Sequence, residues 1–216
     1  MKGSTDMTEK MTESSFRVFS ERLASKAPVP GGGGASAVIA SLASSLCAMA
    51  AGLTAGKKQF LQYEEDLKRI IAGSEALRVR FLALVDEDAA AFELLSKAYT
   101  ADRSDPENAE RFTMATLEAA RVPFEMMQLC CEQIVLLEEL RSKCSALLLS
   151  DVGCAAAALS GALSSASMNV LVNTRLISEN EEANDLQIRT ESMLHHYLPR
   201  AEAVSDSVVS FLKTGK

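Results

Sequence analysis

The chain has 216 residues, 48% of them hydrophobic and 24% charged, so it holds enough apolar material for one large domain or two small ones. Its formal net charge is −7 and no basic stripe is visible, which argues against a nucleic-acid-binding surface. Ala, Leu, Met, Glu and Lys are abundant whereas Trp is absent and Tyr is scarce, a composition that favours helix over strand.

The predicted elements begin with an amphipathic entry helix over residues 8–26, after a disordered stretch over residues 1–7. The Pro- and Gly-rich run at residues 28–34 breaks this helix. A second helix follows over residues 34–52, where many small side chains allow close helix contacts. A long third helix is expected from Lys57 to about residue 99, because apolar residues recur there at helical spacing.

The second half of the chain is also predicted to be helical. An N-cap at residues 104–105 and the proline after it open a fourth helix, which Pro123 either kinks or restarts before it ends near residue 143. A fifth helix is expected over residues 150–177. A sixth follows over residues 180–212, with a kink at Pro199.

Together these elements predict one all-α domain over residues 8–216, a bundle of long antiparallel helices, since no segment shows the two-residue alternation of a strand. Several helices are longer than a compact monomer of this size needs. Part of their apolar surface is therefore expected to meet a second copy in a homodimer. Five cysteines without a CxxC spacing indicate reduced thiols in a cytoplasm, and the polar N-terminus does not resemble a signal peptide.

Two uncharged stretches, residues 27–56 and 152–174, are long enough to span a bilayer. The first consists mainly of Ala, Ser and Gly. The second contains Asn169 and Asn173, whose amides are unfavourable in hydrocarbon. Two buried central helices of a soluble bundle explain both stretches better than membrane spans.

The junction of the Pro-Gly run with the second helix is a candidate ligand-binding loop. Glycines allow close approach of the backbone, and the first turn of a helix presents free N–H groups that suit an anionic or planar polar ligand. Phosphate-loop and dinucleotide templates both fail, because no Gly-Lys-Ser/Thr follows and no strand precedes. The loop is either a flexible connector or a ligand contact through Pro30, Gly31, Gly32 and Gly33.

Asp88 is a candidate acid or base because helical spacing places it on an apolar face with Val85 and Phe92. A carboxylate in such a position needs a partner or a raised pKa. The alternative is a structural bond between helices. Asp86, by contrast, shares the wetter side of the same helix with Lys97.

Asp151 is a second candidate, although an acid at a helix start is also favoured by the helix dipole alone. Asn169 lies 18 residues later, which is five turns at about 3.6 residues per turn, so both lie on one helix face with Asn173 a turn further. This stripe predicts a polar groove, or else hydrogen bonds between helices.

Lys57 and Lys58 are candidates for gripping an anionic substrate tail, although lysine pairs at helix ends are usually only solvated. His195 and His196 are expected on the surface. No three-ligand spacing predicts a metal site, and no histidine is placed to activate a serine nucleophile.

Six blocks of the chain, taken in order, resemble the cyclodeaminase domain of formiminotransferase-cyclodeaminase and the stand-alone methenyltetrahydrofolate cyclohydrolases similar to it. The blocks are PVPGGGGASA (28–37), MAAGLTAGKKQF (49–60), LVDEDAAAF (84–92), AARVP (119–123), LSDVGCAAAAL (149–159) and NVLVNTRLI (169–177). Each block alone is modest, but their order and spacing together are specific.

The resemblance implies an all-helical fold, a dimer, and a tetrahydrofolate site in a groove formed by the Gly loop and the central helices, without metal or nucleotide. The chain departs from the family pattern at two places. Gly34 stands where serine is common, and Cys144 and Ser145 stand where a Gly-Asn pair is common. Both departures are expected to alter folate contacts.

The family reactions share a one-carbon bridge between N5 and N10 of tetrahydrofolate. Hydrolysis of 5,10-methenyltetrahydrofolate to 10-formyltetrahydrofolate needs a base for water and a proton for N5, whereas cyclodeamination of the 5-formimino compound needs a general acid for ammonia. Asp88 and Asp151 are the expected acid, base and cation-stabilising groups.

Asn169 and Asn173 are expected to hydrogen-bond the pterin or the bridge, and the two lysines to meet the glutamate tail. The residues before the Gly loop are too few to fold alone as a formiminotransferase domain, so hydrolysis is expected to rank before cyclodeamination. A non-catalytic protein that binds folate or another helix is the third alternative.

Overall fold

A computed structural model describes residues 10–215, and every regular element within this range is helical. The α-helices are α1 (Phe16–Leu23), α2 (Gly32–Thr54), α3 (Glu64–Tyr99), α4 (Pro106–Lys143), α5 (Leu149–Thr174) and α6 (Glu181–Thr214). Short 3-10 turns occupy Met11–Glu13, Lys58–Tyr63, Ala146–Leu148 and Arg175–Ile177. The predicted all-α fold is confirmed.

Helix α5 lies at the centre of the bundle, where it packs against α2, α4 and α6, while α3 packs against α2 and α4. Helices α2 and α5 are antiparallel. Near one end of the pair the Ser36 hydroxyl donates to the Ser165 hydroxyl (2.8 Å), and near the other end the Ser145 N–H donates to the Thr54 hydroxyl (3.2 Å). The Gly-loop end of α2 therefore lies beside the C-terminal end of α5.

The helix starts differ from the sequence prediction at two places. The entry helix does not extend over residues 8–26, because the Ser15 side chain caps a shorter helix by accepting the Val18 N–H (3.3 Å). The third helix begins at Glu64 rather than Lys57, after a 3-10 turn. The predicted disorder of residues 1–7 lies outside the described residues.

Prolines interrupt neither long helix. Helix α4 continues through Pro123 and α6 continues through Pro199, so a restart at Pro123 is wrong. Each proline removes one backbone donor, but the helical segments on either side are long enough for the helix to continue across it.

The central helices α2 and α5 carry no charged side chain except Asp151 at the start of α5, and they are only partly covered. Their inward sides carry fully buried small residues such as Ala43, Ala50 and Ala162, which allow the helices to approach closely. Both helices are long and apolar enough to cross a membrane, and 56% of the most hydrophobic window of α2 and 39% of that of α5 is buried. Their outward sides form what we call the α2–α5 face, with Ile39, Leu42, Met49, Leu53, Cys154, Gly161, Met168 and Val172.

We expect the Thr54 hydroxyl to stabilise the junction between α4 and α5. The Ser145 N–H is buried and donates to this hydroxyl, which itself donates to the Ala50 carbonyl (2.8 Å). Thr54→Val leaves a buried N–H without a partner and should lower the free energy of unfolding by about 1–3 kcal/mol in urea titrations. Thr54→Ser keeps the hydroxyl and should lose much less, and equal losses in both variants would contradict this role.

Candidate active site

Asp88 caps the N-terminus of α2 from a different helix. The residue before α2 is Gly31, which has no side chain to accept the free N–H groups of the first turn. Asp88 on α3 supplies the acceptor instead, because its Oδ2 receives the Gly34 N–H at 3.0 Å. The positive end of the helix dipole also favours a carboxylate here. The Gly loop is thus tied directly to the candidate acid or base.

Gly33 makes this contact possible. A Cβ atom at position 33 would lie 2.1 Å from Oδ1 and 2.6 Å from Cγ of Asp88, closer than non-bonded atoms approach. Only glycine therefore fits beside the Asp88 carboxyl group in its present position. The glycine run is needed for close packing against a side chain, and the simple flexible-connector interpretation of this segment is insufficient.

Burial raises the pKa of Asp88 to about 6 from 3.8, although the hydrogen bond from the Gly34 N–H favours the ionised form and opposes this rise. A carboxyl group with this pKa is mostly ionised at pH 7 and is easily protonated. It can act as a base in one step and as an acid in the next.

Asp88 faces a cavity of about 170 Å³. The cavity is lined by Pro28, Val29, Gly31, Gly32, Gly33, Asp88, Phe92, Ala119, Asn169, Val172 and Asn173. Pockets that enclose a drug-sized ligand measure about 300–1,000 Å³, so this cavity can hold only one part of such a molecule. The remainder would extend beyond the cavity, and Phe92, one of the lining residues, is 42% exposed.

The two asparagines present acceptors to the cavity. The Asn173 Nδ2 donates to the carbonyls of Ala119 (2.8 Å) and Asn169 (2.9 Å), which uses both of its hydrogens. The Asn169 Nδ2 donates to the Ser165 carbonyl (2.8 Å). These bonds use three of the four amide hydrogens, so the two side chains and the Asp88 carboxylate that line the cavity offer mainly acceptors to a ligand.

Such a site suits a cation or a ligand rich in N–H groups. It does not suit an anion, because Asp88 already holds the helix N-terminus where an anion would bind. Of the two ligand types that the Gly run suggested, the planar polar one fits better than the anionic one.

The remaining sequence-predicted residues lie elsewhere. Pro30 is buried beside the loop, with its Cβ 3.4 Å from the position of a Cβ on Gly34. Lys57 and Lys58 are exposed beyond the far end of α2, a helix of 23 residues and about 35 Å. Asp151 lies at the start of α5, about 27 Å along the helix from Asn169. Although Asp151 and Asn169 share a helix face, Asp151 does not line the Asp88 cavity of its own chain.

Asp86 has a role that the sequence did not indicate. It was expected on the wet side of its helix, but the N-terminal segment covers it, and its carboxylate accepts the Met11 N–H (2.7 Å) and the Thr12 hydroxyl (2.8 Å). Phe92 and Ala119 at the cavity were also not expected as site residues. These contacts join residues far apart in the chain, so local spacing carries no signal for them.

No group of three or more His, Cys, Asp or Glu side chains within residues 10–215 is placed to hold a metal ion. His195 and His196 are exposed, as predicted. The thiols are free, and four of them are buried, namely Cys47, Cys130, Cys131 and Cys144.

The fold and the cavity define an all-helical protein in which a glycine loop and a buried carboxyl group form a small acceptor-rich site. The family model described as formiminotransferase-cyclodeaminase matches residues 15–192. The chain therefore belongs to the formiminotransferase-cyclodeaminase family, and the predicted family is confirmed.

Similar proteins include a methenyltetrahydrofolate cyclohydrolase from Methylorubrum extorquens, 31% identical over 90% of this chain and 96% of that protein. A formimidoyltransferase-cyclodeaminase from Rattus norvegicus is 28% identical over 93% of this chain, which spans 38% of the rat protein. A formiminotetrahydrofolate cyclodeaminase from Thermotoga maritima has a similar structure, with a TM-score of 0.80 and 25% identity over 91% of this chain and 98% of that chain. These names agree with the predicted folate one-carbon enzyme.

We expect Gly33→Ala to disrupt the site, because the added methyl group must displace the Asp88 carboxyl group and break its bond to Gly34. Overpacking of this kind lowers stability by about 1–3 kcal/mol, measurable by thermal or urea unfolding. Gly31→Ala is the matched control, since nothing lies within 4 Å of its added Cβ. Equal stability of the two variants would show that the space between Gly33 and the Asp88 carboxyl group can accommodate a methyl group.

Proposed function

We propose that this chain hydrolyses 5,10-methenyltetrahydrofolate to 10-formyltetrahydrofolate. The observation that carries the proposal is the Asp88 carboxyl group, with its pKa near 6, in a cavity whose asparagines present acceptors. The methenyl bridge is a cation, which such a cavity would stabilise. Similarity to the Methylorubrum cyclohydrolase over 96% of that protein supports the same reaction.

Asp88 would serve both halves of this reaction. Ionised Asp88 accepts a proton from water as the water oxygen bonds to the methenyl carbon. The protonated carboxyl group then donates to N5 as the C–N5 bond breaks, and the added hydroxyl group releases its proton to solvent while the formyl group remains on N10. One water is consumed and one proton released, which balances the charge of the cationic substrate.

Cyclodeamination is the second candidate, supported by the likeness to the Thermotoga and rat proteins. In that reaction N10 attacks the 5-formimino carbon and ammonia leaves. Protonated Asp88 would donate to the leaving nitrogen, and the same acceptors would stabilise the amidine cation. Assays of methenyl and formimino substrates side by side distinguish the two reactions, and turnover of neither would favour a non-catalytic binding protein.

We expect the kcat/KM of hydrolysis to rise with pH through about 6 and then to level off, because the base is Asp88 in its ionised form. Asp88→Asn should lose about 10²–10⁴-fold in rate and also lose this pH limb. The measurement is loss of methenyltetrahydrofolate absorbance above the buffer rate. Asp185→Asn, which changes an exposed carboxylate on α6, is the control. Parent activity in Asp88→Asn would refute the assignment.

We further propose that the α2–α5 face binds a second copy of the chain. Its side chains are apolar or small, it bears no charge, and Gly161 near its middle leaves open space within 4 Å for a close neighbour. A two-fold axis perpendicular to the helices near Gly161 would bring the far end of one chain to the Asp88 cavity of the other. Asp151, Lys57 and Lys58 would then act from the partner subunit.

We also propose that the protein is located in the cytoplasm, because its five free thiols suit a reducing compartment.

Mixing two inactive variants tests this arrangement. If each site combines Asp88 of one chain with Asp151 of the other, an Asp88→Asn and Asp151→Asn heterodimer keeps one intact site of two. Random re-association of equal amounts should then restore about a quarter of wild-type activity. If the mixture recovers no activity, each active site does not combine Asp88 of one chain with Asp151 of the other. If the Asp151→Asn variant alone has full activity, Asp151 takes no part in the reaction.

A further inference from the structure

Residues 10–34 form a segment that we call the N-terminal strap, and α3 holds it at both ends. Asp86 accepts the Met11 N–H and the Thr12 hydroxyl at one end, and Asp88 accepts the Gly34 N–H at the other. The two carboxylates lie two residues apart, so a single stretch of α3 fixes where the strap begins and ends. The strap supplies the cavity wall formed by residues 28, 29 and 31–33.

Arg22 on this strap is held against the cavity wall. Its Nε donates to the carbonyl of Val29 (3.0 Å), and Val29 lines the cavity. The Nη1 and Nη2 groups make no ion pair with any carboxylate in residues 10–215, whereas Arg69 and Arg80 are each paired with glutamates. Arg22 is thus held in place through its Nε, and its Nη1 and Nη2 groups are available to donate to a ligand.

The proposed substrate requires a cation near this place. A folate ends in a glutamate with two carboxylates, and the cavity of about 170 Å³ holds only a part of the molecule. The tail must therefore leave the cavity. Lys57 and Lys58 of the same chain lie beyond the opposite end of α2, whereas Arg22 is fixed on the cavity wall of its own chain. Lysines brought to the cavity by a partner subunit are the competing assignment, which separate variants of Arg22 and of the two lysines distinguish. A guanidinium offers a planar pair of donors that matches a carboxylate better than an ammonium does.

We propose that Arg22 binds a carboxylate of the substrate's glutamate tail through Nη1 and Nη2, while its Nε stays on the Val29 carbonyl. This assignment rests on the proposed function and names the residue that recognises the end of the substrate remote from the reacting carbon. Binding of this kind is equal in the ground state and the transition state, so it lowers KM and leaves kcat unchanged.

A substrate that lacks glutamate tests the proposal. 5,10-Methenyltetrahydropteroate has the same ring system and the same bridge but no glutamate. Arg22→Ala should raise the KM for methenyltetrahydrofolate by about tenfold or more, the loss expected for a charged hydrogen-bonded pair, with kcat unchanged. The same variant should raise the KM for the pteroate much less, because only its contact with the Val29 carbonyl is lost there. Arg17→Ala on the exposed side of α1 is the control and should behave as wild type on both substrates.

Three results would overturn the proposal. Equal impairment of Arg22→Ala on both substrates would mean that Arg22 only supports the Val29 carbonyl. No change on either substrate would mean that it does not touch the tail. A glutamate-dependent rise in KM in Lys57→Ala/Lys58→Ala, without one in Arg22→Ala, would assign the tail to the lysines.

Failure of the proposed function can be distinguished by experiment from failure of this inference. If wild type turns over neither methenyl nor formimino substrate, the function is wrong, but calorimetric titration with tetrahydrofolate and tetrahydropteroate still measures the contribution of the tail. Wild type should bind tetrahydrofolate more tightly than tetrahydropteroate, and Arg22→Ala should abolish that difference. Retention of the difference in Arg22→Ala would overturn the inference on its own.

Discussion

The hydrogen bond between the Asp88 carboxylate and the Gly34 N–H is the interaction on which the site depends. It caps the central helix α2, fixes the Gly loop against α3, and holds a carboxyl group where burial raises its pKa to about 6. Gly33 is part of the same contact, since any Cβ there would overlap the carboxyl group. The same contact therefore caps a helix, requires close packing at Gly33 and holds the reactive carboxyl group.

Helices α2 and α5, which carry no charge between Gly32 and Thr54 or between Val152 and Thr174, explain why polar groups gather at the ends of the bundle. Small side chains bring α2 and α5 close together along most of their length, and the Asp88 cavity lies at one end of the pair, where the Pro-Gly loop meets Asn169 and Asn173. The far end of the pair holds Asp151, Lys57, Lys58 and the buried Cys144 and Ser145. The departures at Cys144 and Ser145 are thus remote from the Asp88 cavity of the same chain.

The N-terminal strap shows how an otherwise exposed segment is kept in place. Helix α1 buries only Phe19 among its own side chains, yet Asp86 holds the start of the strap and Arg22 holds the Val29 carbonyl. Hydrogen bonds to charged groups fix its position where little apolar burial is available. The N-terminal strap, which includes the Gly loop and part of the cavity wall, is consequently attached to α3 at both ends.

The sequence by itself determined the helical fold, the place of the Gly loop and the position of Asp88 on an apolar face, because hydrophobic period and glycine content are local properties. It also placed Asn169 and Asn173 on one stripe. Only the tertiary structure decided that Asp88 caps α2, that Asp86 holds Met11 and that the Asn169 end of α5, not its Asp151 end, lies beside the Gly loop. Helical periodicity specifies a face and a distance along the axis, but it specifies neither the partner helix nor the direction in which that helix runs, and both depend on packing between residues far apart in the chain.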